Sequence, residues 1–116
     1  MYEKKGGGRM RQGLIETASK AIEEELLEAN KKFRAFASTH EGYAVTLEEL
    51  QELKEDFELV EEQLERIWQL TKDNADKQTF EEVLAAAVED ATMLVSEAIQ
   101  TAAMLRKFQQ FNGKRV

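Results

Sequence analysis

Residues 50–70 read LQELKEDFELVEEQLERIWQL. Leu50, Leu53, Phe57, Val60, Leu64 and Ile67 recur at alternating steps of three and four, the spacing of a helix that buries one apolar seam. A half-buried strand would alternate with period two, and no such pattern competes. Upstream, Ser38 followed by Glu41 has the form of a capping box, so this helix is predicted to run from about His40 to about Leu70. Downstream, TKDNADKQ interrupts the stripe, and Thr79 with Glu82 offers a second capping box before Phe80, Leu84, Ala87, Ala91, Leu94, Ala98, Ala102, Leu105 and Phe108. An earlier helix follows from Ile15, Ala18, Ile22, Leu26, Ala29, Phe33 and Phe36. The absence of proline agrees with long uninterrupted helices.

The predicted fold is therefore all-α. Helices of about thirty residues reach roughly 45 Å, too long for a compact chain of 116 residues. Three helices also leave one side of a four-helix bundle open. The expectation is a long-helix bundle completed by oligomerisation, with a homo-oligomer, at least a dimer, covering the stripes of the second and third helices. Residues 1–12 are read as a flexible basic tail, 13–110 as a single helical domain and 111–116 as a basic C-terminal tail. The Gly6, Gly7, Gly8 run lacks the strand and helix context of a phosphate loop and reads as a linker.

Composition narrows the partners. With no cysteine there is no disulfide framework, and no apolar run has transmembrane length, so the expected location is cytoplasmic, without a membrane partner. Between residues 12 and 105, 8 basic side chains stand against 22 acidic ones, a balance of −14 within a total of −7. Such a body repels a phosphate backbone, which argues against duplex nucleic acid and favours a cation or a metal-chelated ligand. Acidity for solubility is the alternative.

Glu-Glu-x-x-Glu occurs three times, beginning at Glu24, Glu48 and Glu61, so the motif alone decides nothing. Position is more informative. Val45, Glu49, Glu52 and Asp56 fall within about 60° of arc beside the seam, and three carboxylates so placed can converge on one cation. Oxygen ligands favour magnesium or manganese, whereas His40 as the only histidine argues against zinc. On the third helix Glu97 shares its face with Val83, Ala86, Asp90, Met93, Gln100 and Met104. A carboxylate in an apolar stripe is costly to bury unless paired or metal-bound. Pairing with a lysine or arginine of another helix is the alternative.

The runs FRAFASTHEGYAVTLEELQEL and SEAIQTAAMLRKF resemble small phage and prophage proteins of the MazG-like superfamily, all-α nucleoside triphosphate pyrophosphohydrolases. The resemblance spans roughly residues 26–108. It implies a MazG-like four-helix core, magnesium or manganese as cofactor, a nucleotide as ligand and, for a phage-encoded protein, the host cytoplasm. It also implies that Glu48, Glu49, Glu52 and Glu97 take the family's metal-binding and catalytic roles, with Glu48 and Glu49 nearest the chemistry. The family's final aspartate is matched by Gln100, a neutral amide that coordinates weakly and cannot act as a base. Asp90 is displaced from Glu97 by about two helical turns, roughly 10 Å, which makes a shared ion difficult.

His40 and Tyr43, at the start of the second helix, are candidate contacts to base or phosphate, and Arg106 and Lys107, near the Glu97 end of the third, are candidates to neutralise phosphates. Phe33 and Phe36 could stack on a base, but at helical spacing they also fit a core. Trp68 extends the seam. Three functions follow: a magnesium-dependent pyrophosphohydrolase, a phage nucleotide-binding protein that sequesters signalling nucleotides without turnover, and a helical interaction protein without a ligand.

Overall fold

Ser38 lies in extended backbone and its hydroxyl accepts the amide hydrogen of Glu41 at 3.1 Å, which satisfies one of the unpaired donors at the start of the long helix. A computed structural model describes residues 7–116, with side-chain surroundings from Arg11 onward. Within it the chain forms α1 (Gly7–Lys32), α2 (Thr39–Lys72) and α3 (Lys77–Gly113). Among the described residues there is no strand, and no helix is long and apolar enough to cross a membrane.

The boundaries differ from the sequence reading in four places, one of them at the far end, where α3 continues to Gly113 through residues 111–113, read as tail. α1 begins at Gly7, so residues 7–12, read as tail, are helical, while residues 1–6 lie outside the described part. α1 also stops at Lys32, leaving Phe33 and Phe36 in the connection to α2. Asp76, not Thr79, caps α3: its carboxylate accepts the Thr79 amide hydrogen at 2.8 Å, and an aspartate cap is favoured over threonine. The link from α2 to α3 turns through Asn74 at φ 52°, a left-handed conformation that asparagine tolerates.

α2 and α3 pair antiparallel along their length, and α1 packs against α3 but not against α2. The molecule measures 62 × 32 × 21 Å, with a radius of gyration of 18.5 Å, against about 13 Å for a compact chain of this length. The heptad seam of α2 is split by this arrangement. Leu53, Val60 and Ile67 are half-buried against α3, whereas Leu50, Phe57, Leu64 and Trp68 remain at least half exposed. With the first three on the α3-facing stripe stand the polar Thr46, Glu49, Asp56 and Gln63, and Leu70 ends it. Deep burial is confined to the crossing of α1 over α3, where Leu26, Ala29, Phe36 and Ala103 form the core. Phe36 meets Phe108 edge-on with ring centroids 6.1 Å apart. An Arg106–Glu23 ion pair and an Asn30–Gln110 hydrogen bond of 3.4 Å hold the rest of α1 in place.

The N-terminal end of α2 approaches α3 closely because Gly42 has no side chain. A Cβ there would lie 2.9 Å from the Phe108 ring. Gly42→Ala gains about 1 kcal/mol of helix propensity but incurs about 1–3 kcal/mol of overpacking, so it is expected to lower Tm by several degrees. In a Phe108→Ala background only the propensity gain remains. Thermal denaturation of the four proteins in this cycle should show Gly42→Ala changing sign from destabilising to stabilising.

Candidate functional site

The antiparallel register brings Glu49 and Glu52 of α2 against Glu97 of α3. One oxygen from each lies within 4.8 Å of the others. Two contacts bracket this point along the helix pair: Gly42 on Phe108 toward one end, and the 3.0 Å hydrogen bond from Gln63 to Asp90 toward the other. Glu49 and Glu97 each retain a buried oxygen, Oε2, without a hydrogen-bond donor. Such an atom loses its water without compensation, which is the condition a proton or a cation relieves.

Electrostatics follow from that placement. Burial raises the Glu49 carboxyl to about 7, reinforced by the charges of Glu97 and Glu52, by a contact with Glu97 that only a protonated carboxyl can make, and by Glu48. Glu97 is also raised, first by burial and then by the charges of Glu52 and Asp56. The pair is therefore reluctant to hold two charges unless a cation joins it.

Beside the carboxylates lies a cavity of about 500 Å³ between the C-terminal part of α1, the first turns of α2 and the last third of α3. Glu49, Glu48 and Gln100 line one part of it, and Lys32, Arg34 and Lys107 contribute cations elsewhere on its wall. Arg34 is held by a two-pronged pair with Glu41, at 2.8 and 2.7 Å, and Glu41 also accepts the Ala37 amide hydrogen at 2.7 Å. The Arg34 guanidinium, followed by that amide, holds the Glu41 carboxyl below the usual carboxylate range. Phe33, at the same cavity, is largely exposed, whereas its neighbour Phe36 is buried.

Of the residues singled out from sequence, Glu49, Glu52 and Glu97 converge, and Glu48, Gln100 and Lys107 reach the cavity. Asp90 is engaged by Gln63, away from the carboxylate group. Arg106 points to α1, paired with Glu23. His40 and Tyr43 are exposed and do not line the cavity. Lys32, Arg34 and Glu41 were not anticipated as cavity groups. The Ser38–Glu41 box carried a partial signal, since it fixed where Glu41 stands but not that Arg34 would grip it.

Compared with protein-family models, curated proteins and solved structures, the chain matches none.

The raised Glu49 carboxyl sets a pH dependence. Its folded value of about 7 lies above the ordinary 4.5, so between these values the folded state binds the proton that the unfolded state releases. The stability from this group is complete below pH ~4.5 and is lost as pH rises through ~7. Without added metal, the Tm of the natural chain should fall more steeply across that window than the Tm of Glu49→Gln, with Glu62→Gln following the natural chain. Parallel profiles for all three would contradict the burial of Glu49.

Proposed function

We propose that the protein binds a nucleotide through a divalent cation held by Glu49, Glu52 and Glu97. The observation that carries this reading is that Glu49 and Glu97 each keep a buried, donor-less oxygen while, with Glu52, they bring one oxygen apiece within 4.8 Å of one another, and Glu49 lines a cavity. These groups fit a hard cation: three oxygen ligands are present, and a bound ion removes the repulsion that otherwise forces a proton onto the site. Magnesium or manganese would supply positive charge to a phosphate at the mouth of the cluster. The chain's own side chains would hold the rest of the ligand, with Phe33 offering an exposed ring face for a base and Lys107 and Arg34 offering cations. The MazG-like resemblance of the Glu48–Glu52 and Glu97–Gln100 segments points the same way.

Turnover is the weaker part of that resemblance. Gln100 lines the cavity without a charge, and Asp90 is occupied by Gln63, so no fourth carboxylate joins the cluster. We therefore infer binding with slow hydrolysis, the behaviour of a protein that sequesters its nucleotide. Glu25 and Glu48 are the other cavity carboxylates free of an ion pair among the described residues, and Glu48, next to Glu49 in the chain, is the group to position a water if hydrolysis occurs.

The exposed half of the α2 seam supports a second part of the proposal. Leu50, Phe57, Leu64 and Trp68 form a continuous apolar line on a helix with polar neighbours, and a second copy of this chain would bury it.

Calorimetry should detect Mn2+ or Mg2+ binding that Glu97→Gln weakens by about tenfold or more, whereas Glu62→Gln leaves it unchanged. Equal losses in both would mean diffuse screening. Gln100→Asp should tighten the metal further and lower the metal-free Tm, because it adds a charge to a crowded site. A nucleotide that binds with the cation should raise Tm in proportion to ln(1 + [L]/Kd), and brisk pyrophosphate release by the natural chain would overturn the slow-hydrolysis reading. For assembly, light scattering at micromolar concentration should give at least a dimer, which Leu64→Lys with Phe57→Lys dissociates.

A further inference from the structure

Lys107 is 5 % exposed, the least accessible charged side chain among the described residues. Its ammonium lies 5.0 Å from the Phe36 ring centre and 6.0 Å from that of Phe33. No carboxylate among the described residues comes within ion-pair distance of it, and Glu41, whose oxygens are committed to Arg34, acts on it only through its more distant charge. Two ring faces offset part of the charge but accept none of its N–H groups in a proper hydrogen bond. Burial pushes the amine below its ordinary value, opposed by the Glu41 charge and assisted by that of Arg34. A largely buried lysine without an ion-pair partner is unfavourable in the free protein, and Lys107 lines the cavity.

Position along the helix specifies what could relieve it. Ten residues separate Lys107 from Glu97 on α3, about 15 Å of rise, and the Gly42–Phe108 contact places the Lys107 end about 10 Å along α2 from Glu49. These backbone offsets leave room between the cation and Lys107 for a ligand longer than a single phosphate. Resting on the nucleotide reading above, we propose that the ligand carries a second anionic group at the end remote from the cation, received by Lys107, so that the protein selects nucleotides phosphorylated on both sides of the sugar over those phosphorylated at the 5′ end alone. The cavity then has two anion subsites, one built through a metal and one through a desolvated ammonium, with the sugar between them and the exposed Phe33 ring alongside.

The test compares adenosine 5′-monophosphate, adenosine 3′,5′-bisphosphate and the longer diadenylate pApA, each titrated calorimetrically into the full chain with saturating Mn2+. At least one of the two doubly phosphorylated ligands should bind about tenfold or more tighter than the monophosphate. Lys107→Met, which replaces the buried charge with an apolar chain of similar length, should erase that preference while leaving the affinity for Mn2+ alone unchanged. Its metal-free Tm should equal or exceed that of the natural chain, which separates a lost subsite from a lost fold. A preference that persists in Lys107→Met, or no preference in the natural chain, overturns the second subsite. Mn2+ binding with no binding of any of the three ligands overturns the nucleotide reading itself, and absence of Mn2+ binding overturns the carboxylate site.

Discussion

The antiparallel contact between α2 and α3 is the constraint on which the rest depends, and it is unusual in what it places at the interface. Where a packed seam would carry leucine or isoleucine, α2 presents Thr46, Glu49, Asp56 and Gln63, and α3 answers with Asp90, Glu97 and Thr101. Each polar group so placed carries a desolvation cost that only a specific partner offsets. Gln63 meets that condition in part, donating to Asp90 while its buried Oε1 and the Thr46 hydroxyl oxygen lack partners, and Thr101 meets it within α3 by donating to the Glu97 carbonyl at 2.9 Å. Glu49 and Glu97 do not. The register that joins Gln63 to Asp90 is the one that leaves the carboxylates facing each other, so the site is a product of the helix pairing and not an addition to it.

α1 adds what the hairpin lacks. By crossing α3 alone, it leaves a gap between itself and α2, and the connection that returns the chain to α2 brings Phe33, Arg34 and Phe36 to the rim of that gap. Phe36 lines that gap and meets the Phe108 ring edge-on behind it, and Gly42 allows α2 to approach Phe108. Acidic and basic groups then line one space without cancelling, because Arg34 and Glu41 bind each other and leave Lys107 and Glu49 without direct partners. Pairing some charges is what leaves the others available to a ligand.

Much of this was legible in the sequence. The three-and-four spacing of α2 identifies the helices, and Glu97 stands out because it interrupts an apolar stripe. The convergence of Glu49 and Glu52 with Glu97 follows from faces that periodicity alone defines. What periodicity could not assign was which half of the α2 seam meets α3, since Leu50 and Leu53 are equally apolar and only tertiary pairing distinguishes them. The same holds for Phe33 and Phe36, equivalent by spacing until α1 ends at Lys32 and turns one outward and one inward. Arg106 and Lys107 are adjacent and alike in charge, yet one helix step of about 100° sends the first to Glu23 and the second into the cavity wall. Asp76 was hidden as a cap because Thr79 and Glu82 imitate a box one turn later.

That α1 touches only α3 has a consequence for the order in which parts of the molecule open. The α2–α3 hairpin is closed by a four-residue turn and its pairing adds progressively from there, whereas the docking of α1 joins residues 80 or more apart in sequence, as in Asn30 with Gln110 and Glu23 with Arg106. Such contacts are entropically late to form and first to be given up, so the amides of α1 belong to a less protected unit than those of the hairpin. Whatever fills the space between α1 and α2 also fastens the first helix to the second, and it extends cooperative unfolding from the hairpin to the whole chain.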